Sequence, residues 1–144
     1  MTCVNFVLDH PESTLNRLEL LGTLLENCLK SATSTFCLAP DTDYADFLDD
    51  FLWSERFLYL PHKHVTSTHQ LATFPQVYIG TELSYSSGCR LIFNCTNQVL
   101  SEFSDESNIE YIEWITNDPS EKSHMRKIFK HYQSNKINPK LIRL

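Results

Sequence analysis

Val4-Asn5-Phe6-Val7-Leu8, apolar on both faces apart from Asn5, decides the fold class. A strand that hides both faces suits the interior of a parallel sheet. His10-Pro11-Glu12-Ser13 breaks it, and a helix is expected over Ser13–Lys30. There Leu15, Leu18, Leu21, Leu25 and Leu29 fall on one face at three- and four-residue steps. Thr35-Phe36-Cys37-Leu38 reads as a second strand. Asp41 or Thr42 caps a second helix over Asp43–Trp53, with Tyr44, Phe47, Leu48, Phe51 and Leu52 as its apolar positions. Phe57-Leu58-Tyr59-Leu60 reads as a third strand, stopped by Pro61. Alternation of strand and helix at this spacing predicts βαβ units: an α/β fold with a mainly parallel central sheet flanked by helices.

Beyond this core, Lys63–Pro75 is polar and reads as a long loop. Strands are expected at Gln76–Ile79, Arg90–Asn94 and Tyr111–Ile115, with a turn at Ser84–Gly88. A short helix is expected at Val99–Phe103 and an acidic turn at Ser104–Asn108. Asp118-Pro119-Ser120-Glu121 opens a last helix with an N-cap, a proline at the first helical position and a capping-box acid. Its apolar stripe is Met125, Ile128, Phe129 and Tyr132, and Ser134-Asn135 ends it. At 144 residues one domain over 1–144 is expected, with the basic helix at about 119–134 and a tail at 135–144.

Charge is unevenly placed. Asp118–Leu144 holds seven Lys and Arg against Asp118 and Glu121, a balance of +5 in a chain of net −6, so residues 1–117 carry −11. That acidity argues against the whole chain as a nucleic-acid binder. No apolar run approaches the ~18 residues of a membrane span. The N-terminus lacks a basic n-region. Five cysteines, odd in number and without CxxC, fit a reduced cytoplasmic protein.

Catalytic signals are weak. Gly22, Gly80 and Gly88 form no phosphate-binding loop. His62, His64 and His69 lack a convergent fourth ligand, so structural or exposed roles are expected rather than zinc. Asp41, Asp43, Asp46, Asp49 and Asp50 read as a cap and a solvated helix face rather than a magnesium cluster. No GxSxG elbow occurs, and no cofactor is expected. Two features stand out instead. Phe57, Tyr59 and Pro61 alternate on one side of the expected strand, next to Trp53, in the manner of interface anchors. Lys122, Arg126, Lys130 and Gln133 follow one another along the last helix, with Phe129 between Arg126 and Lys130. A cationic rim around an apolar floor suits a short acidic peptide, and single-stranded nucleic acid stacking on Phe129 is the alternative.

The chain resembles the chi subunit of bacterial DNA polymerase III, a component of the clamp-loader complex. The resemblance spans essentially the whole chain. It is carried by Leu52-Trp53, Leu60-Pro61-His62, Leu91-Ile92-Phe93-Asn94 and the pattern Arg126…Phe129-Lys130…Tyr132. It implies an α/β domain like nucleotide-binding folds that does not act on nucleotides. It also implies two partners. The acidic, phenylalanine-terminated tail of single-stranded DNA-binding protein (SSB) falls to Lys122, Arg126, Phe129, Lys130 and Gln133. The psi subunit falls to Trp53, Tyr59, Pro61 and His62. Gln133 stands where the family carries a basic residue and Phe129 where it carries tyrosine, and Lys136 is the candidate replacement for the missing charge. The expected function is a non-catalytic adaptor linking the clamp loader to SSB-coated DNA during replication. The other classes are an α/β enzyme, or a direct binder of single-stranded DNA through the basic helix.

Overall fold

The chain forms a three-layer α/β structure around a single seven-stranded sheet, described here from a computed structural model covering residues 2–57, 60–66, 76–104, 106 and 108–144. The strands are β1 Cys3–Leu8, β2 Thr35–Leu38, β3 His62–His64, β4 Val77–Gly80, β5 Leu91–Asn94, β6 Glu110–Ile115 and β7 Lys140–Arg143. They lie in the order β3-β4-β2-β5-β6-β1-β7, and all the paired strands run parallel. The helices are α1 Arg17–Lys30, α2 Thr42–Leu52 and α3 Pro119–Ser134.

The two sheet faces follow from side-chain alternation. Val7, Cys37, Ile79, Phe93 and Trp114 point toward α1 and α2, where Leu20, Leu21, Leu25, Leu48 and Leu52 meet them. Phe6, Phe36, Tyr78, Ile92 and Tyr111 point the other way, toward Met125, Ile128 and Tyr132 of α3. α3 buries Met125, Ile128 and Tyr132 of its marked stripe; α1 buries Leu20 and Leu24 beside the expected Leu21 and Leu25, and α2 buries Leu48 and Leu52 while the expected Phe47 stays exposed.

Local chemistry fixes the helix starts. α1 begins at Arg17, later than Ser13, because Asn16 and Glu19 form the capping box. The Asn16 side chain accepts from Glu19 N at 2.9 Å, and Glu19 accepts from Asn16 N at 3.1 Å. Asp41 caps α2, its carboxylate accepting from Tyr44 N. Asp118 caps α3, accepting from Ser120 N at 2.8 Å and Glu121 N at 3.2 Å. The expected capping box there is not formed. Glu121 instead takes Thr116 Oγ1 at 2.8 Å and Arg17 at 3.3 Å. Arg17 also donates to the Trp114 carbonyl at 2.8 Å and stands 4.0 Å over the Trp114 ring, which ties α1, β6 and α3 together.

Three expectations are corrected. Glu55–Phe57 is a 3-10 turn, not the start of a strand. Phe57 and Leu60 are both buried, and Gly22 of α1 makes room for the Phe57 ring. The strand that follows α2 is His62–His64, which runs into the Lys63–Pro75 segment expected to be loop. Its polar sequence suits an edge strand paired on one side only, to β4. Tyr59 lies outside the described residues, as does His69. Val99–Phe103 is not helical. Leu100 is buried and its amide donates to the Tyr132 hydroxyl at 3.1 Å, holding the segment against α3. In the C-terminal tail, Lys140–Arg143 adds a strand at the edge beside β1.

Candidate functional site

The sequence-marked residues of α3 come together in one groove of about 530 Å³. Lys122, Arg126, Lys130 and Gln133 line it from the helix, with Met125 and Phe129 below them. Arg126, Lys130 and Gln133 are exposed, while Lys122 and Phe129 are half-buried. The spacing of four, four and three residues puts the polar four on one helical face. Phe129 is fixed from beneath by Phe6 of β1, edge to face at 4.9 Å between centroids. Ile115 and Leu8, at the carboxyl ends of β6 and β1, complete the apolar floor on the sheet side.

A second wall comes from β7, where Leu141 and Arg143 line the same groove. Sequence reasoning left the placement of this segment open. The one available signal was the apolar pair Leu141-Ile142 between Lys140 and Arg143 after Pro139, too short to stand alone as a strand. Lys136, the candidate replacement for the charge absent at Gln133, does not line the groove. The lining holds four cations and no carboxylate. Among the described residues none of the four is in an ion pair, since the pairs formed join Arg17 to Glu121, Arg56 to Glu19, His62 to Asp49 and His64 to Asp46. Such a groove is chemically prepared for an anionic ligand with an apolar part.

Trp53, Pro61 and His62 form a separate cluster where the C-terminus of α2 meets β3. Trp53 is 54% exposed, and its ring lies 4.4 Å from that of buried His62. His62 Nδ1 donates to the Leu60 carbonyl at 2.9 Å. Its Nε2 sits 3.1 Å from Asp49 Oδ1 without hydrogen-bond alignment. His64 approaches Asp46 at 3.4 Å. The aspartates of α2 therefore divide their work: Asp41 caps, while Asp46 and Asp49 face the histidines of β3. Pro61 is exposed beside them, and Phe47, also 54% exposed, adds an apolar side chain on α2. Phe57 does not join this surface, because it turns into the core.

The crevice at the carboxyl ends of β2, β4 and β5, where open parallel sheets commonly hold ligands, is lined by Pro40, Thr81, Glu82, Ser84, Thr96 and Glu102 among others. Asn94, the last residue of β5, is already committed. Its amide donates to the Gln98 carbonyl and to buried Glu113, both at 2.7 Å, and its oxygen accepts from Thr96. Among the described residues no cluster of three His, Cys, Asp or Glu is placed to hold a metal ion, and no helix is long and apolar enough to cross a membrane.

The family model of the DNA polymerase III chi subunit, HolC, matches residues 1–140. The chain belongs to that family, among the accessory subunits of DNA polymerase III. A search of curated proteins finds no significant match.

Proposed function

We propose that this chi-family chain is a non-catalytic adaptor whose α3 groove holds the acidic, phenylalanine-terminated tail of SSB. The observation that carries this reading is the pairing, in one groove, of four cations in no ion pair among the described residues with a floor of Leu8, Ile115, Met125 and Phe129. Arg126 and Lys130 attract the tail's acids. Phe129 and the alkyl stems of the basic side chains cover its apolar end. A second face, centred on Trp53, Pro61 and His62, takes the psi subunit and so joins the clamp loader to SSB-coated DNA. Weak single contacts suffice, because one SSB assembly offers several tails at high effective concentration.

Calorimetric titration with an SSB-tail peptide at two salt concentrations tests the assignment. Wild type binds, and more weakly at the higher salt. Arg126→Ala loses most of the affinity, and equal binding by both proteins overturns the site. Retention of a single-stranded oligonucleotide at moderate salt, with no peptide binding, would favour direct DNA binding instead.

A further inference from the structure

We propose that β7 is a working wall of the α3 groove and that Arg143 supplies a cationic contact to the ligand from the side opposite α3. This rests on the reading of the groove as an acidic-peptide site and names residues that reading did not include.

The register fixes which way β7 faces. In a parallel pair, partnered residues point to the same side of the sheet. Phe6 partners Leu141 and Leu8 partners Arg143. Phe6 packs against Phe129 and Leu8 lines the groove floor, so both lie on the α3 side. Leu141 and Arg143 therefore face α3. Ile142, partnered with Val7, faces α1 and lines a different, smaller groove beside Leu24 and Cys28. The strand is held in place by pairing along β1 and by Leu144 N donating to the Leu8 carbonyl at 3.1 Å.

The consequence is a site with two sides. Along α3 the cations stop at Lys130, and the next groove position is the neutral Gln133. The guanidinium of Arg143 enters from the opposite wall, with no carboxylate in the lining to occupy it. Leu141, apolar yet 52% exposed on an edge strand, extends the floor that Phe6 and Phe129 begin. A peptide lying between helix and strand meets charge from both sides. A planar guanidinium suits a carboxylate better than the lysine of the tail beyond α3, which lies outside the groove.

The experiment uses the full-length chain and a fluorescein-labelled peptide of five aspartates ending in phenylalanine with a free carboxylate. Anisotropy titrations at several salt concentrations compare wild type with Arg126→Ala, Arg143→Ala and Lys127→Ala. Lys127 is an exposed cation of α3 outside the groove, so its removal changes net charge equally. Arg143→Ala is expected to weaken binding about fivefold and to flatten the salt dependence, as for a partly exposed charge-assisted contact. Lys127→Ala is expected to leave binding near wild type. Thermal melts confirm that each variant is folded. Equal effects of Arg143→Ala and Lys127→Ala, with Arg126→Ala still defective, overturn the role of β7 and leave the groove standing. Failure of wild type to bind overturns the groove reading itself.

Discussion

The Tyr132 hydroxyl donates to Glu113 Oε2 at 2.7 Å, joining the last helix to a carboxyl buried in the middle of the sheet. Asn94 Nδ2 donates to the same oxygen at 2.7 Å, and Leu100 N donates to the Tyr132 oxygen at 3.1 Å. One carboxyl thus connects β5, β6, α3 and the segment after β5. Burial pushes the Glu113 carboxyl up from 4.5 to about 7, against the opposing pull of the Asn94 and Tyr132 hydrogen bonds and of Arg17.

That shift makes Glu113 a pH-dependent element of stability. The folded protein holds the proton more tightly than the unfolded chain, so stability is fully present below about 4.5 and is lost as pH rises through about 7. Glu113→Gln keeps an acceptor for both donors and never ionises. Relative to wild type it should gain stability between pH 5 and pH 8, on the order of 2–3 kcal/mol at most. Urea unfolding at intervals across that range measures the difference. Curves that stay parallel would show that the carboxyl is not titrating in the fold.

Gly22 should resist substitution although it sits within a helix. A methyl group there would clash with the Phe57 ring, which is 2% exposed and packed against Phe51 at 5.4 Å. Alanine improves helix propensity by ~1 kcal/mol over glycine. Overpacking a well-filled site costs ~1–3 kcal/mol, so the clash should win. Gly22→Ala is therefore expected to lower the urea midpoint, and a second change, Phe57→Leu, to recover part of the loss. A Gly22→Ala protein more stable than wild type would mean that the Phe57 ring moves freely.

Interior strands and long helices were legible because burial on both faces leaves a pattern in the residues. Val4–Leu8, Thr35–Leu38 and the stripe Met125-Ile128-Phe129-Tyr132 are instances, and the structure uses each as read. Edge strands leave little pattern, since one neighbour suffices and much of the strand meets water. That is why Lys63 and His64 read as loop and why the placement of Lys140–Arg143 was left open. Val99–Phe103 has helical spacing of apolar residues, yet its backbone is claimed by a tertiary contact, Leu100 N to Tyr132, that no local rule encodes. The α3 side of the groove was legible because its spacing lies within one helix. The Leu141 and Arg143 side depends on strand register across more than a hundred residues of chain.

Phe129 separates the fold from the site. Its ring leans on Phe6 at 4.9 Å while remaining half-buried under the groove. Phe129→Ala should cost ~2–4 kcal/mol of stability, at or below the usual range for a fully buried ring, and should weaken binding of an acidic, phenylalanine-terminated peptide. Phe129→Tyr adds a hydroxyl at the wet edge and should preserve both. Thermal melts paired with calorimetry distinguish the two losses. If Phe129→Ala binds the peptide as wild type does, the ring is a core residue alone.

Trp53 should behave in the opposite way. Its side chain is 54% exposed and its ring contact is to His62 at 4.4 Å. Losing one such aromatic contact costs ~0.5–1.5 kcal/mol, so Trp53→Ala should fold and melt only slightly below wild type. Under the proposed assignment the same change removes the central anchor of the psi-binding face, and central aromatic anchors commonly carry ~2 kcal/mol or more of an interface. Co-expression with a psi subunit followed by affinity capture tests this. Wild type should retain psi and Trp53→Ala should lose it, while Arg126→Ala, in the groove beside β7 at the opposite edge of the sheet from β3, should retain it. Retention by Trp53→Ala at wild-type level would move the interface away from the Trp53–His62 pair.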